Sequence, residues 1–161
     1  MKKVFHFDFP RESYRSDACV VCCFDHRFDV GFRKFLKRSG IANSDSIKVA
    51  GGAKCLASPE DDFERAFILE QIRKSMRLHG TTKVILMVHS DCGGYGGLAA
   101  AFHGDATAEA AHHEDELRRA AAFLAEAIPE LEVCGYFVHF EGIWNVELGS
   151  RLQTTDQVAA S

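Results

Sequence analysis

The chain has 161 residues, of which 47% are hydrophobic and 26% are charged, and its formal net charge at pH 7 is −4. These values are typical of a soluble globular protein and exclude a disordered or repetitive chain. A negative net charge without a concentrated basic surface argues against nucleic-acid binding, and no apolar run approaches the roughly 18 residues that a membrane span needs.

Apolar segments and helical patterns alternate along the chain. Residues 18–24 are continuously apolar, which is typical of a strand covered on both faces. In chain order we predict strand 18–24, helix 29–39, strand 46–50, helix 59–79, strand 83–88, helices 95–103 and 108–127, and strand 132–138. This alternation predicts an α/β fold with a central, mostly parallel four-stranded sheet and helices on both faces. We expect one domain over residues 1–150 and a polar tail, 151–161, without periodicity.

The helix predicted over residues 59–79 has clear ends and two apolar sides. Ser58 can cap its start, Pro59 suits the first helical position, and Gly80 ends it. One stripe consists of Ile68, Leu69, Ile72 and Met76, and a second side of Phe63, Ala66, Phe67 and Leu78. Either the helix is deeply buried within one subunit, or it covers the sheet and also meets a second subunit.

The amino-terminal residues and the cysteines indicate a reducing compartment. His6 and Asp8 interrupt the first apolar run too early for the core of a signal peptide. Three of the six cysteines lie within the first predicted strand: Cys19, Cys22 and Cys23. Reduced thiols or metal ligands fit this placement better than disulfides, and we therefore predict a cytoplasmic protein.

Two short motifs follow predicted strands and together predict a metal site. Cys23-x-Asp25-x-Arg27 follows the first strand, and His89-x-x-Cys92 follows the third. Ligand sites in α/β sheets form at the carboxyl ends of strands, so the two motifs can converge. Two thiolates and one imidazole suit Zn²⁺ and leave its fourth tetrahedral position free for water or substrate. Arg27 can hold Asp25 ionised beside that position through paired hydrogen bonds.

Each part of this pattern has another interpretation when it is taken alone. Cys23 is then more often a small buried apolar residue than a ligand. The glycine-rich residues 93–97 could cradle a phosphate, but the Lys-Ser/Thr ending of a P-loop is missing. A nucleophilic cysteine beside Arg27 is disfavoured because Asp25 would repel a phosphoryl substrate. Residues 112–116 carry metal-capable side chains, which we interpret as a solvated charged face. The conjunction of the two motifs favours zinc.

These motifs resemble those of the β-carbonic anhydrases, whose zinc site consists of Cys-x-Asp-x-Arg after one strand and His-x-x-Cys after a later one. Both motifs match in full, and the resemblance covers roughly residues 17–148. It implies that Cys23, His89 and Cys92 bind zinc. It also implies that Asp25 and Arg27 form a dyad that orients the reacting water or lets Asp25 occupy the fourth position on the metal.

The resemblance further implies an activity and an assembly. The activity is the reversible hydration of carbon dioxide to bicarbonate and a proton, with this small molecule as the substrate, and the assembly is a homodimer or a larger homo-oligomer. Phe24 and His26 stand where the family usually has small residues, and residues 49–51 lack its usual Arg-Asn. Two alternatives therefore stand beside it: a hydrolase of carbonyl sulfide or carbon disulfide, and a non-catalytic zinc-binding protein.

Overall fold

A single mixed sheet forms the centre of the protein. The computed structural model describes residues 1–149, and the strands within them are β1 (Ala18–Cys22), β2 (Ser44–Lys48), β3 (Lys83–His89), β4 (Glu132–His139) and β5 (Gly142–Val146). Their order in the sheet is β2-β1-β3-β4-β5. Three of the four pairings are parallel, and β5 is antiparallel to β4. The predicted α/β fold with a mostly parallel sheet is confirmed.

Five α-helices connect or flank these strands in the described part of the chain. They are α1 (Asp29–Arg38), α2 (Lys54–Ala57), α3 (Asp62–His79), α4 (Leu98–Ala101) and α5 (Ala106–Ala127). A short 3₁₀ helix, His26–Phe28, contains the end of the first motif, and another, Gly93–Tyr95, follows the second motif. Among these residues, no helix is both long and apolar enough to cross a bilayer.

The sheet is covered on both faces because its inner strands are apolar on both. Cys19 and Val21 of β1 face a core that α2, α3 and α5 complete. Val20, one residue away, faces the opposite core, to which α1 contributes Phe32 and Leu36. Successive side chains of a strand point to opposite faces, so a continuously apolar segment serves both layers. The predicted placement of helices on both faces is confirmed.

The prediction of four strands was wrong, because β5 forms a hairpin with β4 through a two-residue turn at 140–141. The expected start of the long helix was also wrong. Asp61 caps α3 by accepting a hydrogen bond from the Glu64 N–H, whereas Ser58 ends α2. Gly80 does end α3, in the left-handed conformation. The predicted tail, residues 151–161, lies outside the described residues, and the domain boundary at 150 stays a prediction.

Helix α3 has two unequal apolar sides. Ile68 and Ile72 are fully buried against the sheet. Phe63, Phe67 and Leu78 are 76%, 50% and 67% exposed, so the interpretation that the helix is buried all round within one subunit was wrong. Its outer side leaves an apolar surface on the protein.

Candidate metal centre

The ends of β1 and β3 bring the two motifs together. Cys23 is the first residue after β1, His89 is the last residue of β3, and Cys92 follows three residues later. Since β1 and β3 are parallel neighbours, their carboxyl ends lie at the same edge of the sheet. One candidate ligand atom from each of the three residues lies within 4.8 Å of the other two. The Sγ atoms of Cys23 and Cys92 are 3.9 Å apart, and all three side chains are buried.

His89 has a buried nitrogen that needs a partner. Its Nδ1 lies 2.8 Å from the carbonyl oxygen of Ser90, and because that oxygen can only accept, Nδ1 carries the proton. Nε2 is then a free acceptor, and it is buried without a hydrogen bond. Buried polar atoms rarely stay unsatisfied. A metal ion would satisfy Nε2, and one nitrogen with two sulfurs is a donor set that fits zinc.

The two thiols of the centre differ in acidity from the other buried cysteines. A hydrogen bond from the Cys92 thiol lowers the pKa of Cys23. The same contact raises the pKa of Cys92, because its proton is shared with a neighbouring thiolate. Burial instead raises the pKa of Cys19 and of Cys55 to about 12 each. The contact between the two thiols therefore favours the thiolate form of Cys23, and a bound metal would displace the proton that the pair shares.

Arg27 holds Asp25 beside this cluster. Its Nε lies 3.1 and 3.0 Å from the two carboxylate oxygens of Asp25, and its Nη2 lies 2.7 Å from Oδ2. These hydrogen bonds hold the pKa of Asp25 at about 2, so the carboxylate is ionised. The same Oδ2 is 3.9 Å from His89 Nε2. An ionised acceptor thus lies next to the position that a metal would occupy.

The structure adds Asp91 to the predicted pair. Arg27 donates from Nη1 to Asp91 Oδ2 and from Nη2 to the Asp91 carbonyl oxygen, at 3.0 Å each. Arg27 therefore joins the loop of Cys23 to the loop of Cys92. The sequence carried one signal for this contact, since Asp91 lies between two predicted ligands, but its distance from Arg27 along the chain concealed the pairing.

Residues 112–116 differ from their predicted role. His113 and Glu116 are fully buried, so the interpretation of this segment as a solvated charged face was wrong for them. Glu114 and Asp115 do lie on the outside, where both accept hydrogen bonds from Arg118. Among the described residues, the only group that could hold a metal is Cys23, His89 and Cys92.

Sequence comparison gives a family for the chain. A family model described as "Putative carbonic anhydrase" matches residues 14–148. The match includes both motifs and all five strands. The comparison with curated proteins found no significant match.

Several solved structures share the fold. The carbonic anhydrase from Glaciozyma antarctica is 22% identical over 84% of each chain, with a TM-score of 0.56. The β-carbonic anhydrase isoform I from Trichomonas vaginalis is 15% identical over 88% of this chain and 87% of its own, with a TM-score of 0.58. The apo form of a carbon disulfide hydrolase is 12% identical over 83% and 80%, with a TM-score of 0.51. At these identities, the similarity establishes a common fold.

Proposed function

The chain belongs to the family described as "Putative carbonic anhydrase", and on that basis we propose that it is a zinc-dependent carbonate dehydratase of the β class, which converts carbon dioxide reversibly to bicarbonate and a proton. One observation supports this above all. Two cysteine sulfurs and a histidine nitrogen lie within 4.8 Å of one another, and an ionised carboxylate is 3.9 Å from the free histidine nitrogen. Three ligands beside a fixed acceptor are suited to a catalytic metal rather than to a closed structural site.

In this proposal Cys23, His89 and Cys92 hold the metal. A bound zinc ion would supply Lewis acidity, which makes water a nucleophile near neutral pH. Asp25 accepts a hydrogen bond from the reacting water and so orients it. Arg27 keeps that carboxylate ionised and fixed in direction, because it binds both carboxylate oxygens.

Aromatic side chains around the centre suit a small uncharged substrate. The ring of Phe28 packs 4.6 Å from His89 and 5.1 Å from the ring of Phe140, measured between centroids. Phe140 is more than half exposed, and so is Phe24, the residue that follows Cys23. Carbon dioxide is apolar, but so are carbonyl sulfide and carbon disulfide. The apolar surround therefore supports hydrolysis of a sulfur analogue as the second candidate function.

Two assays on the same zinc-loaded preparation test the proposal. Stopped-flow measurement of proton release from dissolved carbon dioxide should give a rate well above the buffer rate. Release of hydrogen sulfide from carbonyl sulfide or carbon disulfide should be slow by comparison. If hydrogen sulfide release were faster than carbon dioxide hydration, the protein would instead be a hydrolase of the sulfur analogue. One zinc per chain with no turnover in either assay would leave a non-catalytic zinc-binding protein.

We also propose a homodimer or larger homo-oligomer in the cytoplasm. The outer side of α3, with Phe63, Phe67 and Leu78, supports association with a second copy, because such an exposed apolar surface marks an interaction site. All six cysteines lie within the described residues and are thiols rather than parts of disulfides, which fits a reducing compartment.

A further inference from the structure

Glu109 is a buried carboxylate that binds the loop between two candidate ligands. It lies on α5 and is 1% exposed. Its Oε2 accepts a hydrogen bond of 2.6 Å from the Ser90 hydroxyl, and its Oε1 accepts one of 2.7 Å from the Asp91 N–H. Both donors lie between His89 and Cys92. We propose that Glu109 is a positioning residue of the metal centre, which sets zinc affinity through this loop; the inference rests on the zinc binding of the proposed function.

The first connection runs through Ser90 to His89. The Ser90 side chain is held by Glu109, and its backbone N–H donates to the Val138 carbonyl oxygen at 2.8 Å. The Ser90 carbonyl oxygen in turn accepts the hydrogen bond from His89 Nδ1. Partners of this kind fix the tautomer and ring direction of a metal-binding histidine. Glu109 therefore holds the group that directs His89 Nε2 toward the two sulfurs.

The second connection runs through Asp91 to the Asp25–Arg27 pair. Asp91 has a φ of 53°, a left-handed conformation that is uncommon for a residue with a side chain. The hydrogen bond from its N–H to Glu109 stabilises that conformation. The Asp91 side chain is thereby held where it accepts from Arg27 and, through Oδ1, from the Leu98 N–H. Glu109 therefore supports both the ligand His89, through Ser90, and the Asp25–Arg27 pair, through Asp91.

An ordinary ion pair does not account for the burial of Glu109. His113 is the buried cationic candidate near it, with Nε2 3.9 Å from Oε1. Burial lowers the pKa of His113 to about 3, so its ring is neutral. The Glu109 carboxylate is therefore stabilised by its hydrogen bonds to Ser90 and Asp91, in the loop between His89 and Cys92.

Helix α5 provides a matched control in Glu116. This carboxylate is also fully buried, and it accepts hydrogen bonds from Ser58, Tyr95 and Arg119. None of these donors belongs to residues 89–92. Replacement of Glu116 should therefore affect the stability of the fold while it leaves the direction of the ligands unchanged.

The test is zinc affinity by chelator competition, with the absorption spectrum of the cobalt(II) form as a second readout. Glu109→Ala should weaken zinc binding by about 10-fold to 100-fold, the range found for partners of metal ligands, and shift the cobalt bands. Glu109→Gln should restore most of the affinity, because its amide can accept from Asp91 and donate to Ser90. Ser90→Ala, which removes one of the two hydrogen bonds, should give a smaller loss. Glu116→Ala should bind zinc like the wild type.

Thermal unfolding of each metal-free variant separates stability from metal binding. Wild-type zinc affinity in both Glu109→Ala and Ser90→Ala would overturn the inference, and so would an equal loss in Glu116→Ala. If Glu109→Ala does not fold, wild-type zinc affinity in Ser90→Ala would by itself overturn the inference. Zinc binding by the wild type without carbon dioxide hydration would reject the proposed activity and leave the role of Glu109 standing. A wild type that binds no zinc would reject both.

Discussion

The Asp25 carboxylate lies between a guanidinium and the metal position, and this determines what it can do. Hydrogen bonds from Arg27 hold its pKa at about 2, below the ordinary value of 3.8. A lowered pKa means that the carboxylate stays charged until the pH falls toward that value. Asp25 is therefore only an acceptor under ordinary conditions, able to orient a reacting water but unable to donate a proton to it.

Replacement of Asp25 tests this role. Asp25→Ala should reduce carbon dioxide hydration by about 100-fold, the lower range for a positioned acid or base, while zinc affinity changes little. Because Asp25 remains ionised far below neutrality, the ratio of wild-type to variant rates should be constant from about pH 6 to 9. Asp29→Ala is the matched control, since that carboxylate pairs with Lys48. Unchanged activity in Asp25→Ala would remove Asp25 from the proposed chemistry.

Replacement of Cys92 tests the metal site itself. Cys92→Ser should lower zinc content and lower the melting temperature of the zinc-loaded protein, since the free energy of metal binding contributes to folding. Treatment of the wild type with a chelator should bring its melting temperature close to that of the variant. The control Cys134→Ser changes a half-buried cysteine of β4 outside the cluster. Full zinc retention in Cys92→Ser would exclude Cys92 as a ligand.

The motifs of this site could be recognised in the sequence, whereas the residues that hold its loops in position could not. The order and spacing of Cys23 and His89, each at the end of an apolar segment, sufficed to predict that they converge, and the structure brings them together with Cys92. Their roles as ligands stay predictions. Glu109 could not be predicted, because its contact with Ser90 exists only after α5 folds back on the sheet. A glutamate in a helical pattern is ordinarily a solvated residue.

At the scale of elements, the loops around the site are closely packed. A Cβ added at Gly52 would lie 2.2 Å from the Met87 carbonyl oxygen, and one added at Gly94 would lie 2.5 Å from the Gly51 nitrogen. The turn after β2 thus lies against the backbone next to both motifs. Backbone atoms cannot move aside as the end of a long side chain can. These glycines allow the loops to approach closely enough to enclose the centre.

Two adjacent glycines allow a direct test of this packing. Gly94→Ala should destabilise the metal-free protein by about 1–3 kcal/mol, because the added methyl group meets backbone. Gly93→Ala is the control, since a Cβ there would have no atom within 4 Å. Urea unfolding of both variants, followed by circular dichroism, measures the difference. Equal stability of the two would show that the turn moves freely.

Helices and strands with a clear local sequence pattern were predictable. Those whose position depends on contacts with other parts of the fold were not. Strand β1 and residues 84–88 of β3 are continuously apolar, so the position and burial of both strands followed from the sequence. The five residues of β5 include exposed Trp144 and lack a regular alternation of apolar and polar residues, so only the pairing with β4 reveals a strand. At the start of α3, Ser58 and Asp61 are both suitable caps, and tertiary contacts decide between them.

For the molecule as a whole, α3 connects the core to the surface. Its inner side buries Ile68 and Ile72, while the rings of Phe63 and Phe67 lie 6.3 Å apart on the outer side. Leu78 extends the outer apolar side toward the end of the helix. Leaving large apolar side chains in water forgoes on the order of 1.5–3 kcal/mol each. A second copy of the chain would remove them from water if it packed at this surface.

This surface predicts the effect of a charge on assembly. Phe67→Glu should shift the protein from dimer or larger oligomer toward monomer in light scattering coupled to size exclusion, because burying an unpaired carboxylate in an interface is unfavourable. The side chain is half exposed within one subunit, so the monomer itself should fold. Val30→Glu is the matched control, since Val30 is similarly exposed but lies on α1, at the opposite face of the sheet. If both variants keep the wild-type mass, association uses another surface; if the wild type is already a monomer, the apolar side of α3 does not bind a second copy.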